Sequence, residues 1–145
     1  MLKCVTKRRR TEFGGTTQGK GVMAEDFNAQ SEQLVVEIQI RDMDRAAAFY
    51  RGIGFDLVSA DDDFTALAWV GRYLFLDFRH DLPPRPDIPQ ANLRIMVADV
   101  DHRWKLVTAQ NADIIEPIAD RDYGLRDFTF TDPDGFGLRF AAVIC

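Results

Sequence analysis

The stretch LVVEIQIRDMDRAAAFYRGIGF, Leu34 to Phe55, decides the fold. In its first half Leu34, Val36, Ile38 and Ile40 alternate with Val35, Glu37, Gln39 and Arg41. Successive side chains on a strand point to opposite faces, so this half reads as a strand with one apolar face. The second half changes period. Asp42 or Asp44 supplies an N-cap, and Ala46, Ala47, Phe49 and Tyr50 form the inward stripe of a short helix. Gly52 or Gly54 offers the positive φ that stops it.

Downstream, FDLVSA, FTALAWV and YLFLDFR predict three more strands, with turns at Asp61 to Asp63 and at Gly71-Arg72. The order is β-α-β-β-β. The next segment, DLPPRPDIPQ, holds four of the chain's six prolines and reads as an extended linker, since proline cannot donate to a sheet. Then the sequence begins again. NLRIMVADVD matches VVEIQIRDMD at an offset of 57 residues, which carries Asp42 onto Asp99, Asp44 onto Asp101 and Gly54 onto Asn111. A helix from about Asp101 to Gln110 follows, with strands at Asp113 to Glu116, Asp127 to Thr131 and Gly137 to Val143. Repeats this small bury their apolar faces by pairing. The fold class is therefore α+β, with two tandem βαβββ modules, about residues 34–80 and 91–143, forming a curved mixed sheet around a cavity.

A chain of 145 residues, 46% hydrophobic and 28% charged, has room for one domain or two small repeated halves. A chain of this size buries roughly two thirds of its unfolded surface and needs neither disulfides nor a structural metal. Cys4 and Cys145 show no metal-ligand spacing, which excludes a zinc-finger or disulfide framework and suits the cytoplasm. No apolar run approaches the roughly 18 residues of a membrane span.

The net charge of −5 is unevenly spread. Lys3, Lys7, Arg8, Arg9, Arg10 and Lys20 stand against Glu12 alone in residues 1–22, a surplus of five positive charges that leaves −10 for the remainder. Residues 1–22 read as a disordered basic tail ahead of a domain spanning 23–145. A nucleic-acid arm would interleave aromatic residues with the basic ones, and the body is acidic, so no nucleic-acid partner is expected. The plain reading is an upstream extension of a domain that starts at Met23. A signal peptide would need a 7 to 15 residue apolar stretch after the basic cluster, and none follows it.

The duplicated βαβββ order, the Asp-x-Asp-x-Ala-x-x-Phe-Tyr-x-x-x-Gly-Phe pattern from Asp42 to Phe55 and the Asp132 to Gly135 DPDG turn resemble the vicinal oxygen chelate superfamily. That group includes glyoxalases, extradiol dioxygenases, fosfomycin-resistance enzymes and bleomycin-resistance proteins. The resemblance spans about residues 34–143. It implies one divalent metal held by His, Gln or Glu from the first and last strand of each module. The matching positions here are Val35, Phe75, Asn92 and Arg139. Valine and phenylalanine have no lone pairs to offer, arginine stays protonated and Asn92 alone is a weak ligand, so no metal, cofactor or catalytic residue is expected. His80 closes a strand and His102 lies in a helix's first turn, where facing solvent is the plain reading against a metal pair. There is no GxSxG, and neither cysteine has a base in a predicted position to activate it.

If odd positions of the first strand face the cavity, as the metal-position match implies, Glu37 and Gln39 line it beside Val35, and the fourth strand adds Tyr73, Phe75 and Asp77. A Gly71-Arg72 turn pairs Val70 with Tyr73 and Ala68 with Phe75, so Phe64, Ala66 and Ala68 share that face while Leu67 and Trp69 point to the helix. The second half adds Asn92, Arg94, Met96 and Arg139. Tyr123, beside Gly124, resembles the loop aromatic that bleomycin-resistance proteins place against their antibiotic. The candidate ligand-binding set is Glu37, Gln39, Phe64, Tyr73, Phe75, Asp77, Asn92, Tyr123 and Arg139. Phe128 and Phe130 read as core filler, whereas Tyr73, Phe75 and Tyr123 suit either a core or a groove for a flat ligand. The acidic body would attract a cation, but Arg94 and Arg139 would repel one unless Glu37 and Asp77 pair with them.

Together with the resemblance, these residues imply a metal-independent binding protein similar to the bleomycin-resistance type, sequestering an aromatic or glycopeptide-type antibiotic. The alternative is a glyoxalase- or dioxygenase-type metalloenzyme. The resemblance also implies a homodimer in which the first module of one chain pairs with the second module of its mate, an exchange that the Pro83 to Pro89 linker is long enough to allow. Pairing within the chain is the other arrangement.

Overall fold

The computed structural model describes residues 32–144. The basic tail, Met23, Cys4 and Cys145 lie outside the described residues. The first module runs β1 (Val36–Ile40), α1 (Met43–Gly52), β2 (Asp56–Ala60), β3 (Phe64–Trp69) and β4 (Arg72–Phe78). The second runs β5 (Asn92–Met96), α2 (Val100–Ala109), β6 (Asp113–Asp120), β7 (Leu125–Thr131) and β8 (Gly137–Val143). Each module folds into its own four-stranded mixed sheet, in the orders β1-β4-β3-β2 and β5-β8-β7-β6. In both, the first strand lies parallel to the last and the other pairings are antiparallel.

The repeat is clearest at the helix starts. Asp42 Oδ1 accepts the Arg45 N–H at 2.9 Å, and Asp99 Oδ1 accepts the His102 N–H at the same distance. Asp44 and Asp101 follow in the first turns, where their charge favours the helix N-terminus. Gly54 and Asn111 take the left-handed conformation at φ 117° and 53°. An Asp42→Ala or Asp99→Ala substitution is expected to cost about 1 kcal/mol in urea unfolding, because each strips a cap from an N–H that has no partner within the helix. Asp44→Ala, which removes no cap, should cost less.

Two local expectations are corrected. The β3–β4 turn is Val70-Gly71, not Gly71-Arg72, and the pairs are Trp69 with Arg72, Ala68 with Tyr73 and Ala66 with Phe75. Both turn residues have positive φ, 46° and 71°, as a primed hairpin turn requires, and glycine is favoured at the second of its two positions. The register moves by two residues, so every side chain keeps its face. Strand β6 also runs past Glu116 to Asp120. Register shifts on either side of Glu116 and its place at the sheet edge let it carry Pro117.

Alternation places Ile38, Ile40, Leu67, Leu74 and Leu76 of the first sheet and Ile95, Phe128, Phe130, Leu138 and Phe140 of the second in one shared core with the helices. Phe130 and Phe140 stack at 5.6 Å, Phe49 of α1 reaches Phe130 at 6.3 Å, and Trp69 meets Phe140 at 5.6 Å. Phe128 and Phe130 are fully buried core residues, as their alternation implied. The Arg103 guanidinium lies 4.7 Å over the Trp69 ring and donates to the Ile53 carbonyl at 3.3 Å, tying α2 to the end of α1.

The DPDG turn is a fastener between modules. The buried Tyr50 hydroxyl of α1 donates to Asp132 Oδ2 at 2.8 Å, while Asp132 Oδ1 accepts the N–H groups of Asp134 and Phe136 at 2.9 and 2.8 Å. Burial, then the adjacent carboxylate, pushes the Tyr50 phenol well above its ordinary pKa. Burial also raises Asp132, against the hydrogen bonds that favour its charge. Asp134 pairs with Arg41 at 2.9 Å, fixing the end of β1 to the same turn.

Candidate functional site

The helices cover one side of each sheet, so the alternate side chains form two outer faces. On the first, β1 presents Glu37 and Gln39 beside Tyr73, Phe75 and Asp77 of β4, with Phe64 and Ala66 of β3 beyond them. Phe64 and Phe75 meet edge to face at 5.1 Å, and Tyr73 lies 6.3 Å from Phe75. The three rings are half-buried, Glu37 and Gln39 are exposed, and Ala66 is fully buried. The register keeps Leu67 and Trp69 on the helix side, as expected.

On the second face Asn92 lies beside Gly137, Arg94 beside Arg139, and Thr129 and Asp127 follow across β7. Asp127 is the centre of this face. Its carboxylate is 0% exposed. Oδ1 accepts from Arg121 Nε at 2.8 Å, Oδ2 accepts from the Tyr123 hydroxyl at 2.7 Å, and Arg139 Nη1 stands 3.6 Å away. Burial opposes the charge, but the hydrogen bonds from Tyr123 and Arg121 and the positive charges of Arg139 and Arg121 outweigh it, so Asp127 titrates below its ordinary value. The hydrogen bond to that carboxylate raises the Tyr123 phenol, and burial adds to the effect. Tyr123 is 57% exposed, with its ring facing outward and its hydroxyl anchored.

Arg139 is held on three sides. Its guanidinium pairs with Glu116, donates from Nε to Thr129 Oγ1 at 2.8 Å and faces Asp127. The condition under which this face would accept a cation, pairing of Glu37 and Asp77 with the arginines, is not met: Arg139 takes its carboxylates from its own sheet, and Arg94 makes no ion pair among the described residues. Arg121, Asp127, Thr129 and Glu116 were absent from the sequence-derived set. Alternation in LRDFTFT carried a signal, since the strand that sends Phe128 and Phe130 to the core must send Asp127 and Thr129 the other way.

The donor set does not fit a divalent ion. Val35 precedes β1 with an apolar side chain, Phe75 is packed among rings, Asn92 Oδ1 lies against Gly137, and Arg139 is a cation inside an ion-pair network. His80 and His102 are both exposed, and no group of three metal-binding side chains is assembled among the described residues.

The nine candidate residues divide between the faces, six on the first sheet and Asn92, Tyr123 and Arg139 on the second. Cavities of about 500 and 420 Å³ lie at the junction of the modules, the first taking in Glu37 and Gln39 and the second Tyr73. No described helix is long and apolar enough to cross a membrane.

Residues 33–140 match the family model for the Glyoxalase/Bleomycin resistance protein/Dioxygenase superfamily. Among solved structures, the chain resembles a bleomycin resistance determinant encoded on the transposon Tn5, at 21% identity and a TM-score of 0.62 over 78% of this chain and 98% of that one. It also resembles a bleomycin-binding protein complexed with bleomycin, at 21% identity and 0.61 over 77% and 98%. TioX from Micromonospora sp. ML1 matches at 24% identity and 0.62 over 79% and 98%. Among curated proteins, none matches the sequence.

Proposed function

The chain belongs to the glyoxalase/bleomycin resistance protein/dioxygenase superfamily, and from that premise we propose that it is a metal-independent binding protein that sequesters an aromatic or glycopeptide-type antibiotic in the cytoplasm. The observation that carries this reading is Arg139. A catalytic divalent ion takes about three protein ligands and keeps one position open. Here the last-strand position holds a permanent cation, fixed by Glu116, Thr129 and Asp127, and Val35 and Phe75 offer no lone pairs. The rings of Phe64, Tyr73 and Phe75, with Tyr123 from the other face, supply flat surfaces, and the polar members of the set supply anchors.

A homodimer is part of the same proposal. Both outer faces point away from the shared core, so a groove that uses all nine residues sets the first face of one copy against the second face of another. Sedimentation equilibrium at micromolar concentration should return twice the chain mass, and a monomer would overturn this assembly.

Calorimetric titration with metal-free bleomycin, alongside elemental analysis, tests the function. Saturable binding without stoichiometric metal is expected, and Phe75→Ala and Tyr123→Ala should each weaken it about two- to tenfold. About one zinc, nickel, manganese or iron per chain would favour the metalloenzyme instead. No measurable affinity for bleomycin would remove the glycopeptide assignment.

A further inference from the structure

We propose that the cavity of about 420 Å³ between the β3–β4 hairpin and β5 is a second ligand site, for a small molecule with an apolar body and an anionic head group. Its floor comes from both modules, with Phe55 and Trp69 from the first and Leu93 and Ile95 from the second. Those side chains face the helix side, whereas Tyr73 and Arg94 of the outer faces line the rim, so the site adjoins those faces and has a floor of its own. Its volume lies within the roughly 300 to 1,000 Å³ usual for small-molecule pockets.

The charge at its mouth is one-sided. Arg72 and Arg94 line it, and no aspartate or glutamate does. Neither arginine forms an ion pair among the described residues, and the hydrogen bond described for Arg72 runs to the adjacent Gly71 carbonyl at 3.2 Å. By contrast, Arg41, Arg79, Arg85, Arg121, Arg126 and Arg139 each hold a carboxylate. Arg103 adds a third cation behind the Trp69 ring. In a chain of net charge −5, two arginines without carboxylate partners over an apolar floor select an anionic amphiphile, such as an aromatic or aliphatic carboxylate or sulfonate. An uncharged molecule of the same size would gain the floor and forgo the rim.

The test uses two fluorescent probes of similar ring size on the full chain, anionic 8-anilinonaphthalene-1-sulfonate and neutral N-phenyl-1-naphthylamine. The sulfonate should bind saturably at a single site per chain and more tightly than the neutral probe. The exposed pair Arg72→Gln and Arg94→Gln should together weaken the sulfonate about tenfold or more and leave the neutral probe within about twofold. Leu93→Trp should displace both probes by filling the floor, with circular dichroism confirming that the variant folds. Tyr123→Ala alters the second outer face, outside the lining of this cavity, and should leave sulfonate binding unchanged. Absent sulfonate binding, an unaltered affinity in the double arginine variant, or loss of the probe in Tyr123→Ala would each overturn the assignment.

Discussion

Phe140→Ala should lower the free energy of unfolding by about 3 to 5 kcal/mol. The ring is fully buried, stacks on Phe130, and meets Phe128 at 5.9 Å and Trp69 at 5.6 Å. Because Trp69 belongs to the first module, truncation opens a cavity where the two repeats join, and neither repeat can collapse into it alone. For a domain of this size the midpoint of thermal unfolding should fall by roughly 10 to 20 °C. A drop of a few degrees, or separate transitions for the two modules, would show that the shared core does not hold them together.

Asp127→Ala should cost about 2 to 3 kcal/mol at neutral pH. It removes a buried acceptor from Arg121 and Tyr123 and one of two carboxylates from Arg139. The figure is below the full cost of a broken buried ion pair, because Arg121 and Arg139 remain partly exposed, at 26% and 16%, and Arg139 keeps Glu116. The pH dependence has a definite sign. Asp127 titrates lower in the folded chain than its ordinary 3.8, so its contribution is present above about pH 4 and is lost as pH falls through the folded value. The gap between wild type and Asp127→Ala in urea unfolding should therefore narrow on acidification. Asp132 works in the opposite direction. Its raised pKa favours the folded state below 3.8, an advantage that disappears as pH rises through the folded value. A gap that widened toward low pH would contradict the Asp127 assignment.

The same variant probes the face that carries Tyr123. With its hydroxyl released, the ring loses the anchor that holds it outward, so affinity for bleomycin should fall together with stability. Asp127→Asn keeps a hydrogen-bond acceptor for the phenol and should preserve more of that affinity than Asp127→Ala.

The sequence by itself determined the features whose causes are local. The change from a period of two to a helical stripe marked β1 and α1, and the 57-residue offset carries Met43–Gly52 of α1 onto Val100–Ala109 of α2, with Asp42 onto Asp99 as caps. Caps, turns and face alternation depend on residues a few positions apart, so they are written in the order of the chain. Face alternation also placed Glu37, Gln39, Tyr73, Phe75 and Asp77 together correctly, even though the hairpin register differs by two residues, because an even slip preserves faces. Tertiary structure alone decided which groups meet across those faces. Tyr50 finds Asp132 82 positions later, and Arg139 takes Glu116, 23 positions earlier, in preference to Glu37 or Asp77. A charge has many carboxylates within reach in an acidic chain, and only the three-dimensional register, with the desolvation that accompanies it, selects the one that is bound.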